Sequence, residues 1–573
     1  VLFVMNTPGF LRYYDETLDL LLERGHEVVL GFTNATLRAN ALEALEGRPR
    51  RPQLIGSVPS RTDALAPMSA RLRNLVDFAR YLHPRYAEAG FLRDRRRLRL
   101  LEARGLRGWL AQRDTLPRPV VAALLRGLLM LERAVPSARD IEAVLEKVRP
   151  DVVLVSPLVT VGSPQTDYVK SARALGIPSG VAVASWDNLT NKGMIRELPD
   201  RVLVWNDAQR DEAVELHRVP RERVVVTGAQ PFDRWFGRRP TLSREAFCRR
   251  VGLHPERPFL LFTGSTSNIT DSGVEDRFVR RWAEAVRTAR APQLREAGML
   301  VRPHPDRRSE WSDINLDGLD EAVVWPPTRP NSVTEEARAE YFDSLYHASV
   351  VVGINTSAMV EAAILGRPVL SLRLPEFHQA QRGTLHFAHM LPEHGGFLEL
   401  ADSLGEHLAQ VQAAMEDPGP AQRRNRAFVE RFVRPQGAQV PATPKLVAAV
   451  EQLAALGPAP ARAGWALLPL RALLRARAVH EARQAARRAA PLDARLVRGR
   501  RLVEGLDRVS GRLAPRAPRA ACCLRVASKP LQRSLRWHRD RMKRRRSEEK
   551  LHRASEKRRR RERAAAIRGR YNE

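Results

Sequence analysis

Cysteine is scarce in this sequence: three in 573 residues, Cys248, Cys522 and Cys523, with no CxxC spacing. So few thiols exclude a disulfide framework and fit a reducing cytoplasm, and adjacent Cys522 and Cys523 read as incidental. Long apolar runs are missing too. The best, Pro119 to Leu131, is broken by Arg126 and falls short of the roughly 20 residues a bilayer span needs. No DxD pair sits in a loop suited to a metal, so neither a metal nor another cofactor is expected. An aromatic stacking pattern and any nucleic-acid module are also lacking, which ranks nucleic acid below a membrane surface as a partner. Val1 is not Met yet already lies in an apolar strand pattern, so a few leading residues are expected before it.

Basic residues dominate, but unevenly. The formal net charge is +31, and residues 461–573 carry 35 Lys+Arg against 10 Asp+Glu, a net of +25 that leaves only +6 elsewhere. The charge belongs to a tail and says little about the fold. Like-charge blocks such as RMKRRRSEEKLHRASEKRRRRERAAAIRGR are solvated helices or disorder, or they bind anionic lipid.

At this length about two to four domains are expected. VLFVMNTPGFLRYYDETLDLLLERGHEVVLGF reads as strand, loop, helix, strand: Val1 to Met5 is apolar throughout, then Tyr14, Leu18, Leu21 and Leu22 recur at helical spacing. Residues from about 66 to 147 interrupt the rhythm with Arg- and Leu-rich helical segments. They form a helical insertion that either packs on the sheet with its arginines outward or offers a basic apolar platform to a membrane or lipid-linked acceptor. Strands resume at Val152–Val155, Ser179–Ala184, Arg201–Val204 and Val224–Thr227. A second series runs through Phe259–Phe262, Met299–Arg302, Ala322–Trp325, Val350–Val352 and Val369–Leu372. Two such series predict an α/β protein with two Rossmann-like, doubly wound domains, 1–235 and 236–450, followed by a basic extension, 451–573. The segment Gln422–Phe432 is predicted as a helix that crosses back onto the first domain.

Ligands of parallel sheets collect at the carboxyl ends of strands. There VVVGINTSAMVEAAILGRPVLSL places Asn355, Thr356 and Ser357 at a helix start, where free N–H groups favour phosphate; Glu361, one turn on, could accept from ribose hydroxyls. An ordinary N-cap explains the same residues. MLVRPHPDRR puts Arg302 and His304 at another strand end; both can bind phosphate, and His304 could protonate a leaving group. FTGSTSN offers Gly264, Ser265 and Thr266 as a further cradle. In the first domain VAVASWDNLTNKGMI presents Asp187, a candidate catalytic base or else the shaper of an Asx-turn. Asp15 is a second candidate base.

These segments, in this order, resemble the GT-B glycosyltransferase superfamily over roughly residues 1–450. The likeness is strongest to bacterial capsule and surface-polysaccharide transferases of the CDP-glycerol glycerophosphotransferase and HP-motif sialyltransferase kinds. It rests on RGHEV, RVPRERVVVTGAQPFDRW, VRPHP, GINTSAMVEAAILGRPVLSL and FVRPQG. The resemblance implies a cytoplasmic enzyme, peripheral on the inner face of the plasma membrane, that uses a nucleotide-sugar or CDP-polyol donor and a polysaccharide or lipid-linked acceptor. It assigns phosphate or nucleotide contacts to His304, Thr356 and Ser357, and donor binding to Glu361. The sialyltransferase acidic-acidic-Gly motif has no counterpart here, and the tail matches nothing. Two alternatives stand beside this reading. One is a UDP-N-acetylglucosamine 2-epimerase-like enzyme, whose Ser-Gly-Gly run is replaced here by Ile354-Asn355-Thr356-Ser357. The other is a non-enzymatic scaffold binding polyanions or membrane through its tail.

Overall fold

The computed structural model describes residues 1–34, 45, 50–100, 105–266, 269–270, 272–305, 307, 314, 316, 318–327, 334–459 and 465–484. Most of the basic tail, with Cys522 and Cys523, lies outside the described residues.

Short apolar runs become strands buried on both faces, as parallel sheets covered by helices require. Seven form the first sheet: β1 (Leu2–Met5), β2 (Val29–Phe32), β3 (Gln53–Ser57), β4 (Val153–Ser156), β5 (Ser179–Ala182), β6 (Arg201–Val204) and β7 (Val224–Val226). Six form the second: β8 (Phe259–Thr263), β9 (Gly298–Arg302), β10 (Ala322–Val324), β11 (Val350–Gly353), β12 (Val369–Leu372) and β13 (Glu399–Ala401). Every pairing is parallel, in the orders β3-β2-β1-β4-β5-β6-β7 and β10-β9-β8-β11-β12-β13. This is the expected α/β fold with two doubly wound parallel sheets. In each sheet the strand order reverses beside the first strand, between β1 and β4 and between β8 and β11. A crevice opens at such reversals, and ligands enter there. Strands β3 and β13 were not legible as apolar runs because their residues are mostly half-buried or exposed edge positions.

The helical insertion is present, with helices Ala66–Arg80, Gly90–Arg97, Leu106–Ala111 and Arg118–Ala134. Its arginines do not all face water. Arg73 lies buried between Asp167 (2.7 Å) and Glu132 (3.0 Å), and Lys170 approaches Glu132 at 2.9 Å. Asp77 grips Arg196 at 2.5 Å, both side chains fully buried. Charges so deeply buried persist only when paired, so these ion pairs rivet the insertion to the first sheet.

The expected crossing-back segment, Gln422–Phe432, reaches the first half only at its end, where the helical turn Val429–Val433 gives the Phe432 carbonyl to Asn206. Residues Gly419–Phe428 stay with the second half, where Asn425 donates to the Arg367 carbonyl at 2.8 Å. It is Ala442–Ala454 that returns, burying Leu446, Val447, Val450 and Leu453 in the core of the first sheet. The four aliphatic side chains contribute roughly 2 kcal/mol each when buried, which ties residues 442–454 to the first half. At the junction Arg434 holds Asp233 at 3.0 Å and Asn206 donates to the Phe432 carbonyl at 2.7 Å.

Both sheets belong to one compact unit. A second unit comprises residues 468–567; its described part is a helix over 468–484. Among the described residues no helix is long and apolar enough to cross a membrane.

Candidate functional site

The reversal of strand order dictates where polar loops meet. Loops after β1, β4, β5, β8, β9 and β11 line one cavity of about 820 Å³ between the two sheets. Of the residues expected in the site, Asp187, Gly264, Thr266, Arg302, His304, Asn355, Thr356, Ser357 and Glu361 all lie on its wall. Ser265 does not. It is buried, and its N–H donates to the Glu275 carboxylate at 3.0 Å, so it shapes the loop from behind.

Close backbone approaches build the second-half wall. A Cβ on Gly264 would stand 3.0 Å from the His304 nitrogen, and one on Gly353 would stand 2.9 Å from Thr263 Oγ1. The glycines thus let the loops after β8, β9 and β11 pack together. The helix Ser357–Ile364 begins at Thr356, whose side chain makes no capping bond. The helix start is therefore not closed by its own N-cap side chain, and it faces the cavity with its partial positive charge. The Ser357 hydroxyl accepts from Trp186 Nε1 at 3.2 Å, a bond that joins the two walls. Asn355 spends its amide on the scaffold, donating to the Ala380 carbonyl at 2.6 Å and to Thr384 Oγ1 at 3.1 Å.

Arg302 is buried beneath this wall. Its Nη1 has no hydrogen-bond partner, Glu340 standing 3.6 Å away, and burial lowers its proton affinity. In all, eight arginines and Lys192 line the cavity against two carboxyls, Asp187 and Glu361. So lopsided a lining favours a polyanion.

The two carboxyls are tuned in opposite directions. Burial would raise Asp187, but the Lys192 ammonium at 2.8 Å overrides it and holds the carboxyl well below its usual range. A carboxylate so stabilised has little proton affinity. Burial raises Glu361 to about 7, against the opposing hydrogen bond that Tyr341 donates and the charges of Arg234 and Arg12. Asp15 is engaged by Arg338 at 3.2 Å and Arg234 at 3.8 Å, behind the cavity.

One residue that sequence reasoning missed ties these loops together. His386 Nδ1 meets Asn191 Nδ2 at 2.9 Å, its Nε2 meets Asn355 Oδ1 at 3.2 Å, and its ring packs edge-on against Trp186. Because the Asn355 amide nitrogen already donates, its oxygen must accept; His386 is thereby fixed as neutral with its proton on Nε2. Burial drops its pKa to about 3. Nothing in the sequence around Leu385–Met390 marks this histidine. The Arg80 guanidinium, buried in the insertion, holds the Asp187 loop through the carbonyls of Leu189, Thr190 and Gly193. Among the described residues no group of three or more His, Cys, Asp or Glu could hold a metal ion.

No family model and no curated protein matches the chain. Solved structures with a similar course of the chain include UDP-GlcNAc 2-epimerase from Neisseria meningitidis bound to UDP-GlcNAc, at 12% identity and a TM-score of 0.45, covering 79% of this chain and 99% of the other. A glycosyltransferase from Rickettsia africae matches at 10% identity and TM-score 0.45, covering 79% and 98%. A wall teichoic acid polymerase matches at 8% identity and TM-score 0.42, covering 79% and 89%.

Proposed function

We propose that this protein transfers a sugar or polyol-phosphate group from a nucleotide-activated donor to an acceptor hydroxyl, in surface-polysaccharide or glycolipid synthesis on the cytoplasmic side of a membrane. One observation carries the reading. The helix start at Thr356–Ser357, Arg302, whose Nη1 makes no hydrogen bond, and His304 converge on one cationic cavity that the opposite sheet also lines. Phosphate oxygens of the donor dock on the helix N–H groups and Arg302. As the bond between the transferred group and the terminal phosphate oxygen breaks, Arg302 and His304 offset the charge left on the nucleotide.

The new bond forms to the acceptor oxygen, whose proton must go to a base. Two cavity carboxyls whose pKa values are pushed apart divide such labour. We assign the proton to Glu361, whose value of about 7 matches a general base, and a fixed positioning role for Lys192 to Asp187. This moves the base away from Asp187, the residue expected from sequence, and changes the role expected for Glu361.

The test is a thermal-shift panel of UDP-, GDP-, CDP- and CMP-linked donors, because a ligand of the native state raises its melting temperature. At least one should raise it, and His304→Ala and Ser357→Ala should each weaken that response. Undiminished response in both variants would sink the phosphate-site assignment. Removing residues 461–573 should leave transfer intact, whereas a scaffold acting through its tail would lose its function.

A further inference from the structure

The wall contributed by the first half carries cations that the donor reading does not use. Arg96 lies in the last turn of the helix Gly90–Arg97 of the insertion, and Arg99 follows the helix; both line the cavity. Other arginines of the insertion are paired with carboxylates: Arg73 with Asp167, Arg93 with Asp114 at 3.6 Å, and Arg97 with Asp94 at 2.6 Å. Arg96 and Arg99 are different. Among the described residues neither has a carboxylate within ion-pair distance. Arg96 Nη2 donates to the Asn191 carbonyl at 3.0 Å, while its Nε is buried without any hydrogen bond. Arg99 Nη1 meets Asn74 Oδ1 at 3.2 Å and the Val161 carbonyl at 3.5 Å. Partial desolvation of its guanidinium, then the neighbouring Arg96 charge, lowers the proton affinity of Arg99, although the residue as a whole is exposed. The nearest carboxylate influence, Asp77, is already gripped by Arg196.

Two like charges held together facing a cavity cost stability unless an anion comes between them. Thr160, on the loop after β4, lines the same cavity, and its Oγ1 is buried and likewise has no hydrogen-bond partner. We infer that Arg96, Arg99 and Thr160 form a subsite for a phosphate group on the acceptor, opposite the donor wall. A phosphate has enough oxygens to accept from two guanidiniums and a hydroxyl at once, and bidentate guanidinium contacts favour it. At about 820 Å³ the cavity lies in the upper part of the span of small-molecule sites, about 300–1,000 Å³. The inference rests on the transferase reading for the word acceptor, but not for the anion site itself.

The test uses the full chain and two probes, glycerol 3-phosphate and dioctanoyl phosphatidic acid. Each is titrated by calorimetry with and without the nucleotide that the thermal-shift panel selects. The wild type should bind glycerol 3-phosphate in both conditions. The double variant Arg96→Gln/Arg99→Gln should bind it at least about ten-fold more weakly, a loss of about 1.4 kcal/mol, while nucleotide affinity stays within about two-fold. Arg99→Gln alone, at an exposed position, should show part of the loss and controls for folding. Equal binding by wild type and double variant, or competition between nucleotide and glycerol 3-phosphate, would overturn the subsite. If no nucleotide binds the wild type, the donor reading fails, yet the titration without nucleotide still scores the arginines. Tighter binding of the phosphatidic acid would assign the group to a lipid-linked acceptor; equal binding would assign it to a soluble one.

Discussion

The two walls of the cavity are built by different means. On the second-half wall, the polar groups sit in loops at the ends of β8, β9 and β11, and part of their capacity is unspent: the helix start lacks a side-chain cap, and Arg302 Nη1 makes no hydrogen bond, with only Glu340 near it at 3.6 Å. On the first-half wall, the loop after β5 is clamped. Arg80 binds its carbonyls, Lys192 binds Asp187, and His386 reaches across to Asn191. On the proposed reading a sheet loop alone would suffice for phosphate, because backbone N–H groups at a helix start can take it up. A loop that positions charged side chains needs support from other elements, here the insertion and the segment Leu385–Met390.

Replacing Glu361 tests the contrast most severely. Glu361→Gln should lower turnover about 10²- to 10⁴-fold, the range for loss of a general base. The wild-type rate should fall with decreasing pH through about 7, as Glu361 gains its proton, and the variant should lose that limb. A pH–rate profile unchanged by the substitution would return the search for the base to the first-half wall.

Next in size is Asp77→Ala. It strands the buried Arg196 and removes acceptors from the N–H groups of Gly162 and Met194. Breaking such a pair costs about 3–5 kcal/mol, read by denaturant unfolding. The clamped wall should loosen far more than the open one, so acceptor binding should suffer before nucleotide binding does. Equal loss of both would mean that the walls are not independent.

The smallest effect is acid sensitivity. His386, which links the walls, and His407, which accepts from Trp282 Nε1 inside the second half, are both pushed by burial to about 3. A histidine lowered by folding contributes stability that is fully present above its unfolded value near 6.5 and lost as pH falls below it. At pH 5 the loss is about 2 kcal/mol for each. Glu361 titrates with the opposite sign, since its raised pKa costs stability as pH rises from 4.5 toward 7. The measurement therefore belongs in the Glu361→Gln background, where adding His386→Asn should remove that residue's share, about 2 kcal/mol at pH 5, while His407 and the buried His217, lowered likewise, keep theirs.

The legibility of the site follows the same division. Gly264, Arg302, His304, Thr356 and Ser357 could be found because strand ends and helix starts are local patterns, and parallel sheets gather ligands there. Arg96, Arg99 and Arg234 could not, since one arginine among many carries no sign of which way its helix faces. Helix Ala442–Ala454 was missed as the returning element because apolar helical spacing shows that a face is buried, not which sheet buries it. The opposite tuning of Asp187 and Glu361 was also beyond reach. It depends on Lys192 and Tyr341, one five residues and the other twenty residues away in sequence, being brought into contact.

By itself the sequence determined the alternation of buried strands and amphipathic helices, hence two doubly wound sheets and the loops at their carboxyl ends. Hydrophobic periodicity is a property of neighbours along the chain, and it survives without knowledge of the rest. Only the tertiary structure decided which charges are paired and which stand open. Coulomb energy and desolvation depend on distance in space, and residues far apart in the chain set both.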